Sequence, residues 1–231
     1  MNNLFIKTDI LAKVNFNEIN INTKNFKHYQ KAKENQIEHY NVNDVKNIIA
    51  TSNLTNIYSE QMKDFDTTIL YKSDGHGVNH NIRVCFFAYI ISSNEKISTR
   101  DFELIMEACK YHDIGRTNDM EDESHGKKSA DKITFLDNKY SKEELNYIKT
   151  IVTCHSLNDK KFNKVATKNG VIDIERCKKM HEILKDSDAL DRVRLHYPYV
   201  NEKYIRTETA RKMIAFAHEL FYNYNTILNS N

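Results

Sequence analysis

The chain has 231 residues, of which only five are glycine and one is proline, where average usage puts roughly 12% of a chain in these two types. That scarcity excludes all-β sandwiches and barrels, which need turn residues roughly every 8–12 positions, and also excludes Pro-rich or collagen-like chains; a helical protein remains. A formal charge of +2, from 34 basic and 32 acidic residues, provides no bulk field for nucleic acid or an anionic membrane, and no apolar run reaches the ~18 residues of a membrane span.

Residues 1–70 are polar and Asn-rich, with weak helical patterns over 4–14 and 42–62. They are expected to form an N-terminal helical layer that contributes to a substrate pocket. The start, Met1-Asn2-Asn3-Leu4, lacks a basic segment followed by an apolar one, so a signal peptide is not expected. Residues 71–231 carry the sharper periodicity and are assigned as the main domain. Helices are predicted over about 75–92, 99–112, 125–137, 142–154, 175–191 and 201–227. Ser141 and Glu144 form a capping box for the fourth, and Pro198 breaks the chain before the last. The Lys-rich stretch 156–173 reads as a solvated loop. Cys85, Cys109, Cys154 and Cys177 lie far apart among apolar neighbours, which suits reduced core thiols in a cytoplasm.

The polar residues on the core-facing stripes carry the chemical information. Stepping back four from Val84 on the stripe Val84, Phe87, Ala88, Ile91 reaches His80. The stripe Phe102, Ile105, Met106, Cys109 leads three residues on to His112, followed by Asp113. Ile133 and Leu136 run back through Ser129 to His125; Leu145, Ile148 and Val152 lead to His155; Cys177, Met180 and Leu184 lead to Asp188. The helical period therefore aims four imidazoles and two carboxylates at one interior. A lone inward His is commonly a hydrogen-bonded core residue, but a buried carboxylate needs a cationic partner or a metal. No Lys or Arg obviously pairs with both Asp113 and Asp188. Mixed imidazole and carboxylate ligands suit Mn, Fe, Co, Ni or Zn better than Ca or Mg. Six ligands exceed the need of one catalytic ion, so two divalent transition-metal ions are expected.

The segment Tyr111-His112-Asp113-Ile114-Gly115-Arg116 resembles the signature of the HD-domain superfamily of metal-dependent phosphohydrolases. Other elements follow in that family's order: His-Gly-x-x-His-x-x-Arg-Val at 76–84, His125-Gly126, His155, and Asp188-Ala189-Leu190-Asp191-Arg192. The resemblance covers about 76–194. It implies an all-α HD-domain helical bundle with additional N- and C-terminal helices. It implies His80, His112, Asp113 and Asp188 as defining metal ligands, Asp113 as the bridge, and His125 and His155 as ligands of a second ion. The implied activity is hydrolysis of a phosphomonoester or phosphodiester, of a nucleotide or related small molecule, by metal-activated hydroxide.

Arg83 and Arg116 are the candidate phosphate clamps; the structural alternative is a salt bridge, such as Arg83 or Arg192 with Asp191. His76, expected in the first turn of its helix after Ser73 or Asp74, is a candidate catalytic residue beside Asp113. Glu121, Asp122 and Glu123 are candidates to orient His125. His28, His39, His181, His196 and His218 fit no constellation. The same ligand set also resembles di-iron oxygenases on this fold, which is the alternative function. The cyclic-dinucleotide branch of the family carries a Gly-Tyr-Pro element, and Tyr197-Pro198-Tyr199 lacks the preceding Gly.

Overall fold

A computed structural model describes residues 39–195 and 200–229, with side chains through Phe221. The pattern over 4–14, His28, His196 and Pro198 lie outside the described residues. Among those described, the chain forms ten α-helices and no strand: α1 Val42–Thr51, α2 Thr55–Lys63, α3 Val78–Asn94, α4 Thr99–Tyr111, α5 His125–Lys132, α6 Lys142–Cys154, α7 Phe162–Lys168, α8 Ile174–Leu190, α9 Glu208–Lys212 and α10 Ile214–Asn229. None of the described helices is long and apolar enough to cross a membrane.

The architecture follows from one helix that is apolar nearly all round. From His80 to Ser92 every residue of α3 is buried, which requires neighbours on several faces. Helices α4 and α8 flank it, α6 packs on both, and α5 lies against α6. Helices α1 and α2 cover α3 and α4 from outside, and their Val45, Leu54, Tyr58 and Met62 join the same core. Local signals set the starts. The Ser98 side chain accepts from Asp101 N to open α4, and Asp173 accepts from Arg176 N to open α8. The capping box of Ser141 and Glu144 is formed at α6. The four described cysteines are free and buried.

Several predicted boundaries are corrected. The pattern over 42–62 is two helices, with Leu54 buried between them. The helix expected from 75 starts at Val78, because the Ser73 hydroxyl draws Gly75 N and His76 N into a turn. The helix expected over 125–137 tightens to a 3₁₀ turn at Ile133–Leu136. The Lys-rich stretch is not a plain loop: Phe162 and Ala166, one turn apart, are buried and anchor α7. The long helix expected over 201–227 is divided. The buried Asp186 carboxylate accepts from Arg206 N and Thr207 N, and Thr207 then caps the short α9.

Candidate metal centre

Each candidate ligand stands at or near a helix end. His80 is in the first turn of α3, His112 caps the C-terminus of α4, His125 opens α5, His155 caps the C-terminus of α6, and Asp188 lies in the last turn of α8. The packing of these helices brings all five elements, with Asp113, to one place. Asp113 sits at the middle. Its Oδ2 lies 3.5 Å from His80 Nε2 and 3.7 Å from His112 Nε2. Its Oδ1 lies 3.2 Å from His125 Nε2 and 3.4 Å from His155 Nε2. Asp188 Oδ1 is 3.4 Å from His80 Nε2. The set thus divides into two halves, one on each oxygen of a single carboxylate.

Hydrogen bonds fix the four imidazoles in one tautomer. His112 Nδ1 donates to Cys109 O at 2.8 Å, His155 Nδ1 donates to Val152 O at 2.6 Å, and His125 Nδ1 donates to Asp122 O. His80 Nδ1 donates to Asp191 Oδ2 at 2.7 Å. A carbonyl or carboxylate oxygen only accepts, so every Nδ1 carries the hydrogen and every neutral Nε2 carries a lone pair. Yet His80 Nε2 lies 3.1 Å from His112 Nε2, and His125 Nε2 lies 2.7 Å from His155 Nε2. Lone pairs that face each other and a carboxylate at such distances repel unless a positive centre lies among them. A proton on His112 is disfavoured, because burial pushes its pKa down to about 3. The donor set therefore fits divalent cations. Two groups have ligand atoms within 4.8 Å of one another: His80, His112 and Asp188, and His112, Asp113 and His155.

The centre opens into a cavity of about 240 Å³, with His76, Asp113, Arg116, Asp188, Arg192 and Arg194 in its wall. His76 precedes the helix rather than lying in its first turn. Its Nδ1 is 2.9 Å from Asp119 Oδ1 and its ring meets His80 edge-on at 5.8 Å between centroids. Burial lowers its pKa, with the Asp119 bond acting the other way. Arg116 Nε donates to Asp113 Oδ1 at 3.1 Å. Arg194 Nε donates to Gly75 O at 2.5 Å, and Arg194 Nη1 lies 3.5 Å from Asp191 Oδ2.

The expectation that Arg83 clamps phosphate is corrected. Arg83 is 2% exposed, outside the cavity wall, and grips Asp191 through Nε at 2.5 Å and Nη2 at 3.0 Å. It stands in the structural alternative. Asp122 orients His125 through its backbone carbonyl, not through a carboxylate; its carboxylate pairs with Lys128 at 2.8 Å. Sequence reasoning missed Asp119 as the partner of His76 and Arg194 as part of the wall. Asp191, the partner of His80, sits three residues after Asp188, a spacing that shares its helix face. His181 is 2% exposed and packs on Phe162, away from the centre, with its Nε2 unbonded.

Two glycines allow the helices to meet. A Cβ on Gly126 would lie 2.7 Å from the Val152 and Thr153 carbonyl oxygens, and one on Gly115 would lie 2.4 Å from Ser129 N. Close approach of α5 to α6 and to the turn after Asp113 accounts for these two, while a Cβ on Gly77 would meet the Ser73 backbone in the turn before α3. No family model, no curated protein and no solved structure matches the chain.

Proposed function

We propose that the chain is a metal-dependent phosphohydrolase of the HD type. It would hold two divalent transition-metal ions and hydrolyse a phosphomonoester or phosphodiester of a small molecule. The observation that carries this reading is the four-imidazole cage on the two oxygens of Asp113, at the floor of a cavity with arginines in its wall. His80, His112 and Asp188 would hold one ion, His125 and His155 the other, and Asp113 both. Such ions supply a water whose pKa falls from 15.7 to about 7, and positive charge for phosphoryl oxygens.

The chain's own residues do the rest. Arg116 steadies the bridging carboxylate through Asp113 Oδ1 and keeps its guanidinium at the cavity, where charge develops on the phosphoryl oxygens. Asp119 accepts from His76 Nδ1, which turns Nε2 of His76 to the cavity as the atom that gives or takes a proton. Arg194, held by Gly75 O, adds a fixed positive charge. The buried free cysteines suit a reducing cytoplasm.

The test is metal analysis of the purified protein together with a panel of p-nitrophenyl phosphate, its bis-ester, nucleotides and cyclic nucleotides. Metal-dependent release of phosphate or alcohol supports the proposal. Two bound irons with dioxygen-dependent turnover and no hydrolysis would replace it by the oxygenase.

A further inference from the structure

Beside the metal cavity lies a larger one of about 560 Å³. His155, Asp188 and Arg192 belong to the walls of both, so the two spaces adjoin at these side chains. Its volume is in the ~300–1,000 Å³ range of small-molecule pockets, and the metal side, at about 240 Å³, is less than half as large.

The wall of the larger cavity sorts into groups already engaged and groups left over. Arg206 is paired with Asp159 and Asp186, and Lys185 donates to Asp159 at 2.5 Å. Arg192, at the junction of the cavities, is exposed and makes no side-chain bond among the described residues. Tyr204 lies in the wall with 69% of its surface exposed, and its ring stacks on no other described ring. Asn158 Oδ1 accepts from Lys160 N at 3.0 Å and Asn201 Oδ1 from Lys203 N at 3.1 Å, leaving each amide NH₂ as a donor. A guanidinium at the junction, an uncovered aromatic face and two amide donors form a surface for a planar, acceptor-bearing body attached to an anion.

We infer that this second cavity is the subsite for the esterified body of the substrate, that this body carries a planar ring lying on Tyr204, and that Arg192 grips the phosphoryl oxygens where the cavities join. The inference rests on the phosphohydrolase reading and narrows its substrate class to ring-bearing phosphoesters. Arg192 and Tyr204 are then specificity-determining residues outside the metal set.

Adenosine 5′-monophosphate and ribose 5-phosphate differ at C1 of the sugar, adenine in one and a hydroxyl in the other, and are the probes. Loss of one stacked ring corresponds to a fold-change of about 10 or more. Tyr204→Ala should raise KM for the ring-bearing ester about 10-fold and leave that for ribose 5-phosphate unchanged, while Tyr204→Phe behaves as wild type. Arg192→Ala should weaken both esters alike. Equal effects of Tyr204→Ala on both esters, or no effect, would overturn the subsite and leave the hydrolase reading standing. Where no ester is turned over, binding of adenosine 5′-monophosphate is measured by calorimetry. Binding that falls in Tyr204→Ala then supports the subsite while the hydrolase reading fails; no binding sinks both.

Discussion

Replacement of Asp191 by Asn separates the architecture of the metal centre from the stability of the fold. Asp191 is fully buried and accepts Arg83 Nε at 2.5 Å, Arg83 Nη2 at 3.0 Å and His80 Nδ1 at 2.7 Å. An amide offers one oxygen where two are used, and its NH₂ turns a donor toward a donor. Arg83, 2% exposed, is then left as a buried unbalanced charge, which costs about 3–5 kcal/mol. For a chain of this size each kcal/mol lowers Tm by roughly 2–4 °C, so metal-free Asp191→Asn should melt about 6–20 °C lower by circular dichroism. The imidazole of His80 also loses the partner that fixes its tautomer, and such losses weaken metal affinity about 10–100-fold. Adding Arg83→Met removes the stranded charge. The double variant should regain most of the stability but not the affinity, as read by chelator competition. Affinity that returns together with stability would refute a role for Asp191 in holding His80.

The remaining predictions address the centre, its packing and its pH response. His112→Ala or Asp113→Ala should abolish metal retention and hydrolysis while circular dichroism keeps most of the helical signal; an active, metal-free variant would refute the site. His125→Ala combined with His155→Ala should halve the metal content by elemental analysis, since both face Asp113 Oδ1. Gly126→Ala should push α5 from α6, lowering stability by about 1–3 kcal/mol in urea unfolding and weakening the ion held by His125. Burial holds His181 at about 3 in the folded protein, against 6.5 ordinarily. Its neutral form is the one folding favours, so stability is complete above pH 6.5 and declines as pH falls toward 3. At pH 5 the loss from this group is about 2 kcal/mol, and His181→Leu should flatten the urea-unfolding stability between pH 7 and 5 by that amount.

The candidate ligands were legible because helical periodicity reports direction. His80, His112, His125 and His155 extend apolar stripes whose residues Val84, Phe87, Ile105, Cys109, Ile148 and Val152 are all fully buried. Depth and long-range partners are not periodic and were not legible in the same way. Arg83 shares a face with His80, which suggested the cavity, yet one turn further along α3 the bundle is closed and the nearest anion is Asp191, 108 residues on. His76 and Asp119 are 43 residues apart on two turns, where no stripe links them. The division of the predicted 201–227 helix depends on the Asp186 carboxylate, which belongs to another helix. Composition and spacing thus locate what a single helix decides, and miss what two segments decide together.

The position of the ligands at helix ends has a physical logic that also singles out Asp191. The last four carbonyls of a helix lack partners within it. His112 and His155, each at the end of its helix, donate Nδ1–H to the carbonyl three residues back, Cys109 O and Val152 O. At a helix start, His125 Nδ1 donates to the Asp122 carbonyl of the preceding turn, which also accepts from His125 N. One bond satisfies the backbone and aims the imidazole, so no side chain has to be supplied for the purpose. His80 lies in the first turn of α3, and the carbonyl three residues back, Gly77 O, is taken by Asn81 through its backbone N and its Nδ2. His80 Nδ1 is met by the Asp191 carboxylate at the end of α8, itself held by two arginines. Three of the four imidazoles are therefore oriented by backbone that side-chain substitution leaves in place. Only the fourth is oriented by a side chain, which makes Asp191 the position where mutation can disturb the aim of a ligand without removing it.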